Sequence, residues 1–297
     1  MPRLGLLGCA TVLGIAAIWL ALRGDDWSPV PIGAKLTSAN ATRLVQNGAP
    51  SNSHVNETQW LPKAITPVAS PSSVDTGPLY GRNGRELDFG GLTAAQYIDK
   101  HAVAARRGDA YAAYEVYKAE SVCAVGNEAA PQFDLPAQHA KFLQERQTLA
   151  TLCAQVSPAQ IQERLGFLSQ AARSGLREAQ IDFYIEGPYG RAVDNFNNDD
   201  PILKDWREEA LGHLQAASAQ CDPYAMGLLA NAWDAGDFGK RNVGLAAFFS
   251  AAEAQTRRVE FSVSQLSRRF GDELSPEQIE SSLKAGQEMA RDACKNH

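Results

Sequence analysis

The sequence predicts an all-α protein: an α-solenoid of about three to four antiparallel helix pairs with a C-terminal capping helix, preceded by a single transmembrane helix and a disordered linker. From Thr93 onward the apolar residues recur at a helical period, and no segment alternates as a half-buried strand does. A motif of paired small residues before a turn also returns several times in this part of the chain. We therefore divide the chain into three parts. Residues 1–23 are the transmembrane anchor, residues 24–90 the linker and residues 91–297 the helical-repeat domain.

The composition is that of a globular protein. The 297 residues are 44 % hydrophobic and 21 % charged, and the formal net charge is −6. Because a general nucleic-acid binder needs basic surface to displace counterions, no nucleic-acid partner is expected.

Residues 4–22 form an apolar run of nineteen residues without a charge. At about 1.5 Å per residue this run spans roughly 28 Å of helix, close to the thickness of a bilayer core. We therefore expect a transmembrane signal-anchor over residues 1–23. Arg3 precedes the run and two aspartates follow Arg23, so flanking charge favours a body outside the cytoplasm, periplasmic or extracellular.

Two alternatives remain open for this N-terminal segment. A cleaved signal peptide usually has a shorter apolar region and a small-x-small cleavage site. A lipoprotein signal is the other alternative, because Leu6 to Cys9 resemble a lipid-attachment box. If the anchor is retained, the small residues Ala10 and Gly14 would allow two copies to self-associate through it.

Residues 24–90 are predicted to be a flexible linker. They hold seven of the 15 prolines and are rich in Ser, Asn, Thr and Gly. Such a segment buries too little apolar surface to offset the entropy of ordering it.

Several helix starts are marked in the sequence of the remaining body. Thr93 and Gln96 have the spacing of a capping box, which predicts a helix over 94–107. Ser157, Asp200 and Ser275 each precede a proline. A side-chain oxygen followed by proline is typical of an N-cap and the first helical position. The last of these helices is expected over about 276–293.

The most informative feature is a repeat in which a turn residue follows two adjacent small residues. Glycine adopts the left-handed conformation that ends a helix, and an alanine four residues later lets the next helix approach closely. The interval between the last two turns is 34 residues, and the longer intervals leave room for an extra helix near 137–156 and a loop at 187–199. The copies begin at Ala104-Ala105, Ala171-Ala172, Ala217-Ser218 and Ala251-Ala252, with turns at Gly108, Gly175, Cys221 and Gln255.

This pattern resembles the Sel-one-like repeats, a family of short tetratricopeptide-like helix pairs. The resemblance covers roughly residues 94–270 and is strongest from Ala225 to Gly236, which read A-x-x-x-L-A-x-x-W-x-x-G. It implies a stack of antiparallel helix pairs that presents a groove to partners, and it implies no chemistry. A non-repeating, alanine-rich helical bundle is the alternative.

Four cysteines lie in the body, and an even number in an exported domain suggests disulfides. Three pairings are possible. Alternating helix directions would place Cys123 and Cys153 at one end of the stack and Cys221 and Cys294 at the other, so we predict the pairs Cys123–Cys153 and Cys221–Cys294. Four free thiols in a cytoplasmic domain are the alternative.

No motif for catalysis, metal binding or a cofactor is present, so no cofactor is expected. Arg257-Arg258 and Arg268-Arg269 are eleven residues apart, which would place them on one helical face as a basic patch for an acidic partner or polymer. Solvated or paired arginines are the simpler interpretation. We expect a membrane-anchored, exported adaptor that binds a protein partner without catalysis; a cell-envelope hydrolase and a structural envelope component are the alternatives.

Overall fold

The computed structural model describes residues 79–126, 132 and 135–295, which all belong to one compact unit. The predicted anchor and residues 24–78 of the predicted linker lie outside the described residues. Within the described part the chain forms a two-stranded hairpin and ten α-helices. The strands are β1 (Leu79–Tyr80) and β2 (Glu86–Leu87); the helices are α1 (Ala94–Arg106), α2 (Ala110–Val125), α3 (Pro136–Leu152), α4 (Pro158–Arg173), α5 (Arg177–Glu186), α6 (Pro201–Ala219), α7 (Pro223–Ala235), α8 (Val243–Thr256), α9 (Val263–Phe270) and α10 (Pro276–Ala293).

The prediction of an all-α body is confirmed for the described residues, apart from the short hairpin. Helices α1 and α2, α4 and α5, and α6 and α7 pack as consecutive pairs. The second helix of each pair packs on the first helix of the next pair, and α8 then packs mainly against α10. None of the described helices combines the length and the apolar composition needed to cross a bilayer.

Three of the predicted turns are confirmed. Gly108 and Gly175 have φ angles of 100° and 88°, and Cys221 has a φ angle of 62°. After the first two turns the backbone N–H groups of Asp109 and Leu176 donate to carbonyls five residues earlier, at 3.1 and 3.2 Å. These bonds satisfy carbonyl groups that the end of a helix would otherwise leave unpaired.

The sequence predicts the fourth turn at Gln255, and this prediction is wrong. Helix α8 continues to Thr256, and the left-handed residue is Arg258, with a φ angle of 57°. The N–H of Val259 donates to the carbonyl of Ala254 at 2.9 Å, so Ala254 has the role that was assigned to Ala251. Ala251 and its neighbour lie in the helix interior, fully buried, because α10 packs closely against this part of α8.

Small residues dominate the helix crossings. Ala113, Ala172 and Ala247 have no exposed surface, and the larger core side chains Tyr117 and Leu229 fill the space between them. One close crossing is at Gly286 of α10, where an added Cβ would overlap the carbonyl oxygen of Phe248. Close-packed interiors of this kind leave little room for even one added methyl group.

The folded unit begins earlier than predicted. Residues 79–90 were assigned to the linker, but Leu79, Leu87 and Phe89 are buried in the core with α1 and α2. The strands pair in antiparallel register, Leu79 with Leu87 and Tyr80 with Glu86. The sequence pattern does not reveal this hairpin because each strand is only two residues long, which is too short to show an alternation of apolar and polar residues.

Both predicted disulfides are confirmed, with Cα–Cα distances of 5.6 Å for Cys123–Cys153 and 4.9 Å for Cys221–Cys294. The first ties down α3, the extra helix predicted near 137–156, none of whose described side chains is buried. The second joins the turn after α6 to the end of α10. Two disulfides in one domain indicate an oxidising, non-cytoplasmic compartment.

Candidate functional site

Two carboxylates on α5 are buried beneath the hairpin. Asp182 and Glu186 are one helical turn apart and point to the same face, together with Tyr114 and Tyr117 of α2. Asp182 has no exposed surface, and Glu186 is 5 % exposed. These four residues are called the acidic socket below.

The N-terminal turn, residues Gly81–Arg85 between the two strands, fills the acidic socket at Asp182. The Arg85 guanidinium donates to Asp182 Oδ1 through Nε at 3.0 Å, and its Nη2 lies 2.9 Å from the same oxygen. Tyr114 Oη donates to Oδ2 at 2.6 Å, and the Asn83 amide donates to the same oxygen. Burial raises the pKa of Asp182 to about 6, although Arg85 and Tyr114 act in the opposite direction.

Glu186 receives a second group of donors. Arg82 Nη1 of the N-terminal turn lies 3.1 Å from Glu186 Oε2, and Arg164 Nη2 of α4 lies 3.4 Å from the same oxygen. Tyr117 Oη donates to Oε1 at 3.1 Å. The buried charge is therefore paired from three elements, as a buried carboxylate requires.

The fit of the N-terminal turn against α2 is close. The backbone N–H of Arg82 donates to Ser121 Oγ at 3.1 Å. A Cβ added at Gly81 would lie 2.9 Å from the same oxygen, so only glycine fits there without a shift. The arrangement recognises a short peptide turn through its backbone and through two guanidinium groups.

A second feature is an open cavity of about 280 Å³ between α4, α5 and α6, called the α4–α6 groove below. Ile202 and Tyr189 are exposed at its edge, by 42 % and 67 %. Trp206 is 6 % exposed, and its indole N–H has no hydrogen-bond partner among the described residues. The groove is lined by Leu165, Leu168, Ser169 and Arg173 of α4, Phe183 and Glu186 of α5, Gly187–Tyr189, and Ile202, Asp205, Trp206 and Glu209 of α6.

Charges in the groove are arranged around Glu209. The Arg173 guanidinium donates to both oxygens of Glu209, at 2.6 and 3.0 Å, and His213 Nε2 lies 3.4 Å from Oε1. Partial burial alone would raise the pKa of Glu209, but its contacts with His213 and Arg173 outweigh that effect and lower it to about 2. Asp205 is exposed beside this pair.

His213 itself is buried, 8 % exposed, with Phe183 at 5.0 Å between ring centroids. Sequence reasoning missed the acidic socket. The available signal was the spacing of Asp182 and Glu186 behind the buried Ala179, which puts two carboxylates on a core-facing side of α5.

The four arginines of the predicted basic patch do not share a helix. Helix α8 ends at Thr256 and α9 begins at Val263, so the two pairs lie on different elements. Arg257 is paired with Glu253 at 2.8 Å and Arg269 with Asp234 at 2.9 Å. Arg258 and Arg268 are exposed.

Within the described ranges, no three metal-ligating side chains come together. No family model matches the chain, and no significant match was found among curated proteins or solved structures.

Proposed function

We propose that this chain is an adaptor that binds a segment of a protein partner in the α4–α6 groove. The supporting observation is the groove itself, in which the side chains of Ile202 and Tyr189 are exposed and the ring of Trp206 forms part of the lining.

A polypeptide segment is the occupant that suits this lining. Its apolar side chains cover Ile202 and Tyr189, which are exposed at the edge of the groove. Its N–H groups or a basic side chain complement the exposed carboxylate of Asp205. Ligand sites commonly combine an apolar lining with a few polar groups in this way.

The geometry of the acidic socket favours binding over a reaction. An acid–base pair of carboxylates has to reach a substrate. Asp182 and Glu186 instead contact Arg85, Arg82 and Arg164 and are buried. The two carboxylates of the acidic socket therefore act as a receptor for the N-terminal turn.

The proposal also covers the repeat type of the helix pairs and the location of the protein. Helix pairs with left-handed turns are consistent with the Sel-one-like repeat type, and the two disulfides are consistent with a body exported across a membrane and anchored through residues 1–23. Under this organisation the groove would be presented to partners in an oxidising compartment.

The test is selection of random displayed peptides on the full-length chain in detergent micelles. Affinities are then measured for the wild type, Ile202→Asp and Tyr189→Asp, with Tyr111→Asp as the matched control. Aspartate tolerates the left-handed conformation of Tyr189. Tyr111 is 73 % exposed and lies outside the α4–α6 groove.

We expect both groove variants to bind the selected peptides at least tenfold more weakly, and the control to bind them unchanged. No enrichment of peptides, or equal binding to all four proteins, would overturn the proposal. Circular dichroism melts establish that each variant is folded.

A further inference from the structure

The wall of the α4–α6 groove is contacted from outside the helix pairs. Arg82 Nη1 lies 3.1 Å from Glu186 Oε2 and donates to the Gly190 carbonyl at 2.8 Å. Glu186 and the residues up to Tyr189 line the groove. One guanidinium of the N-terminal turn therefore contacts Glu186, the first residue of this wall, and Gly190, the residue that directly follows it.

The backbone of the wall needs such support. Gly187, Tyr189 and Gly190 have φ angles of 72°, 54° and 70°. A side-chain-bearing residue in the left-handed region costs about 1 kcal/mol or more and persists where surrounding contacts fix it. Within the segment, the N–H of Gly190 donates to the carbonyl of Gly187 at 3.2 Å.

Two guanidinium groups pack directly against Gly190. A Cβ added there would lie 2.6 Å from Arg164 Nη2 and 3.4 Å from Arg82 Nη1. Arg164 is 5 % exposed and comes from α4, which already belongs to the groove. Arg82 comes from the hairpin, 108 residues away from Gly190 in the sequence. The wall is therefore contacted both by α4 and by a segment outside the helix pairs.

We propose that the N-terminal turn is a clasp that sets the conformation of the groove wall, with Arg82 as its positioning residue. The turn stays docked through Asn83 and Arg85 on Asp182. Arg82 contacts the wall directly, through Glu186 and the Gly190 carbonyl. The expected effect of Arg82 on peptide affinity rests on the proposed function, whereas its effect on the conformation of the groove wall does not. By linkage, a ligand in the groove would strengthen docking of the turn by the same factor.

The first measurement is amide hydrogen exchange of the full-length chain without ligand. Arg82→Ala is expected to accelerate exchange at residues 187–191 at least tenfold and to leave α7 unchanged. Arg82→Lys, which has one compact ammonium group, is expected to restore protection only in part. Arg107→Ala, which removes an exposed arginine elsewhere, is expected to change nothing.

The second measurement is the affinity of the displayed peptides selected above, which is expected to fall at least fivefold in Arg82→Ala and not in Arg107→Ala. Unchanged exchange at residues 187–191 in both Arg82 variants overturns the clasp, whatever the groove binds. Accelerated exchange with unchanged affinity overturns its coupling to the groove. Accelerated exchange with no peptide selected supports the clasp and overturns the proposed function.

Discussion

Glu120 on α2 provides a sharp test of the electrostatics of the core. Its side chain is 1 % exposed, and Oε2 has no hydrogen-bond partner among the described residues. Burial and the like charge of Glu163 raise its pKa to about 8, although Arg164 and Arg106 act in the opposite direction. The folded protein therefore holds a proton on Glu120 at neutral pH that the unfolded chain releases.

The sign and the size of the effect follow from proton linkage. Between the ordinary pKa of 4.5 and the raised pKa of about 8, the folded state binds more protons, so the free energy of unfolding falls as the pH rises. At up to about 1.4 kcal/mol per pH unit, the loss from Glu120 between about pH 5 and pH 8 is on the order of 3 kcal/mol.

Glu120→Gln removes the titration and keeps the shape of the side chain. Urea unfolding at several pH values is expected to show a flatter pH dependence in this variant. Between about pH 5 and pH 8, its free energy of unfolding should fall by on the order of 3 kcal/mol less than that of the wild type. Glu208→Gln, the same change at an exposed position of α6, is the control and should retain the wild-type slope. Parallel curves for Glu120→Gln and the wild type would refute the reasoning.

Three further outcomes are expected. Gly286→Ala is expected to destabilise the protein by about 3 kcal/mol because the new Cβ meets the Phe248 carbonyl. Gly212→Ala, on an open face of α6, is expected to stabilise it by about 0.5–1 kcal/mol. Urea unfolding measures both changes. Cys153→Ser removes closure of a loop with a sequence separation of 30, worth about 3.6 kcal/mol, and accelerates hydrogen exchange in α3 most strongly. Arg269→Glu lowers the melting temperature slightly through its exposed pair with Asp234 and leaves the affinity of groove peptides unchanged in a titration.

The parts of the fold that could be predicted depend on neighbours in sequence. The capping box at Thr93 and the N-caps at Ser157 and Ser275 form as expected because each requires only about four consecutive residues. The turns at Gly108 and Gly175 follow because a left-handed residue after paired alanines favours glycine. Where an arginine occupies that position the signal disappears, and the fourth turn was misplaced by three residues.

The disulfides were predictable for a different reason, because chain direction alternates from helix to helix. The acidic socket was not predictable, because its partners are far apart in sequence. Arg82 and Glu186 are separated by 104 residues and Arg85 and Asp182 by 97. Local patterns mark the N-terminal turn only as a polar stretch rich in glycine, and they do not show which surface receives it.

The polar character of the acidic socket explains why the N-terminal turn docks in one register. Buried ion pairs contribute little net stability, since desolvation offsets most of their attraction. A shifted turn would leave Asp182 buried without its cation Arg85, at a cost of about 3–5 kcal/mol. A hydrophobic contact of similar area would tolerate such slippage more easily, because apolar burial is not directional. The same contacts that fix the register bring the Arg82 guanidinium to the Gly190 carbonyl, so specificity of docking and control of the groove wall have one physical origin.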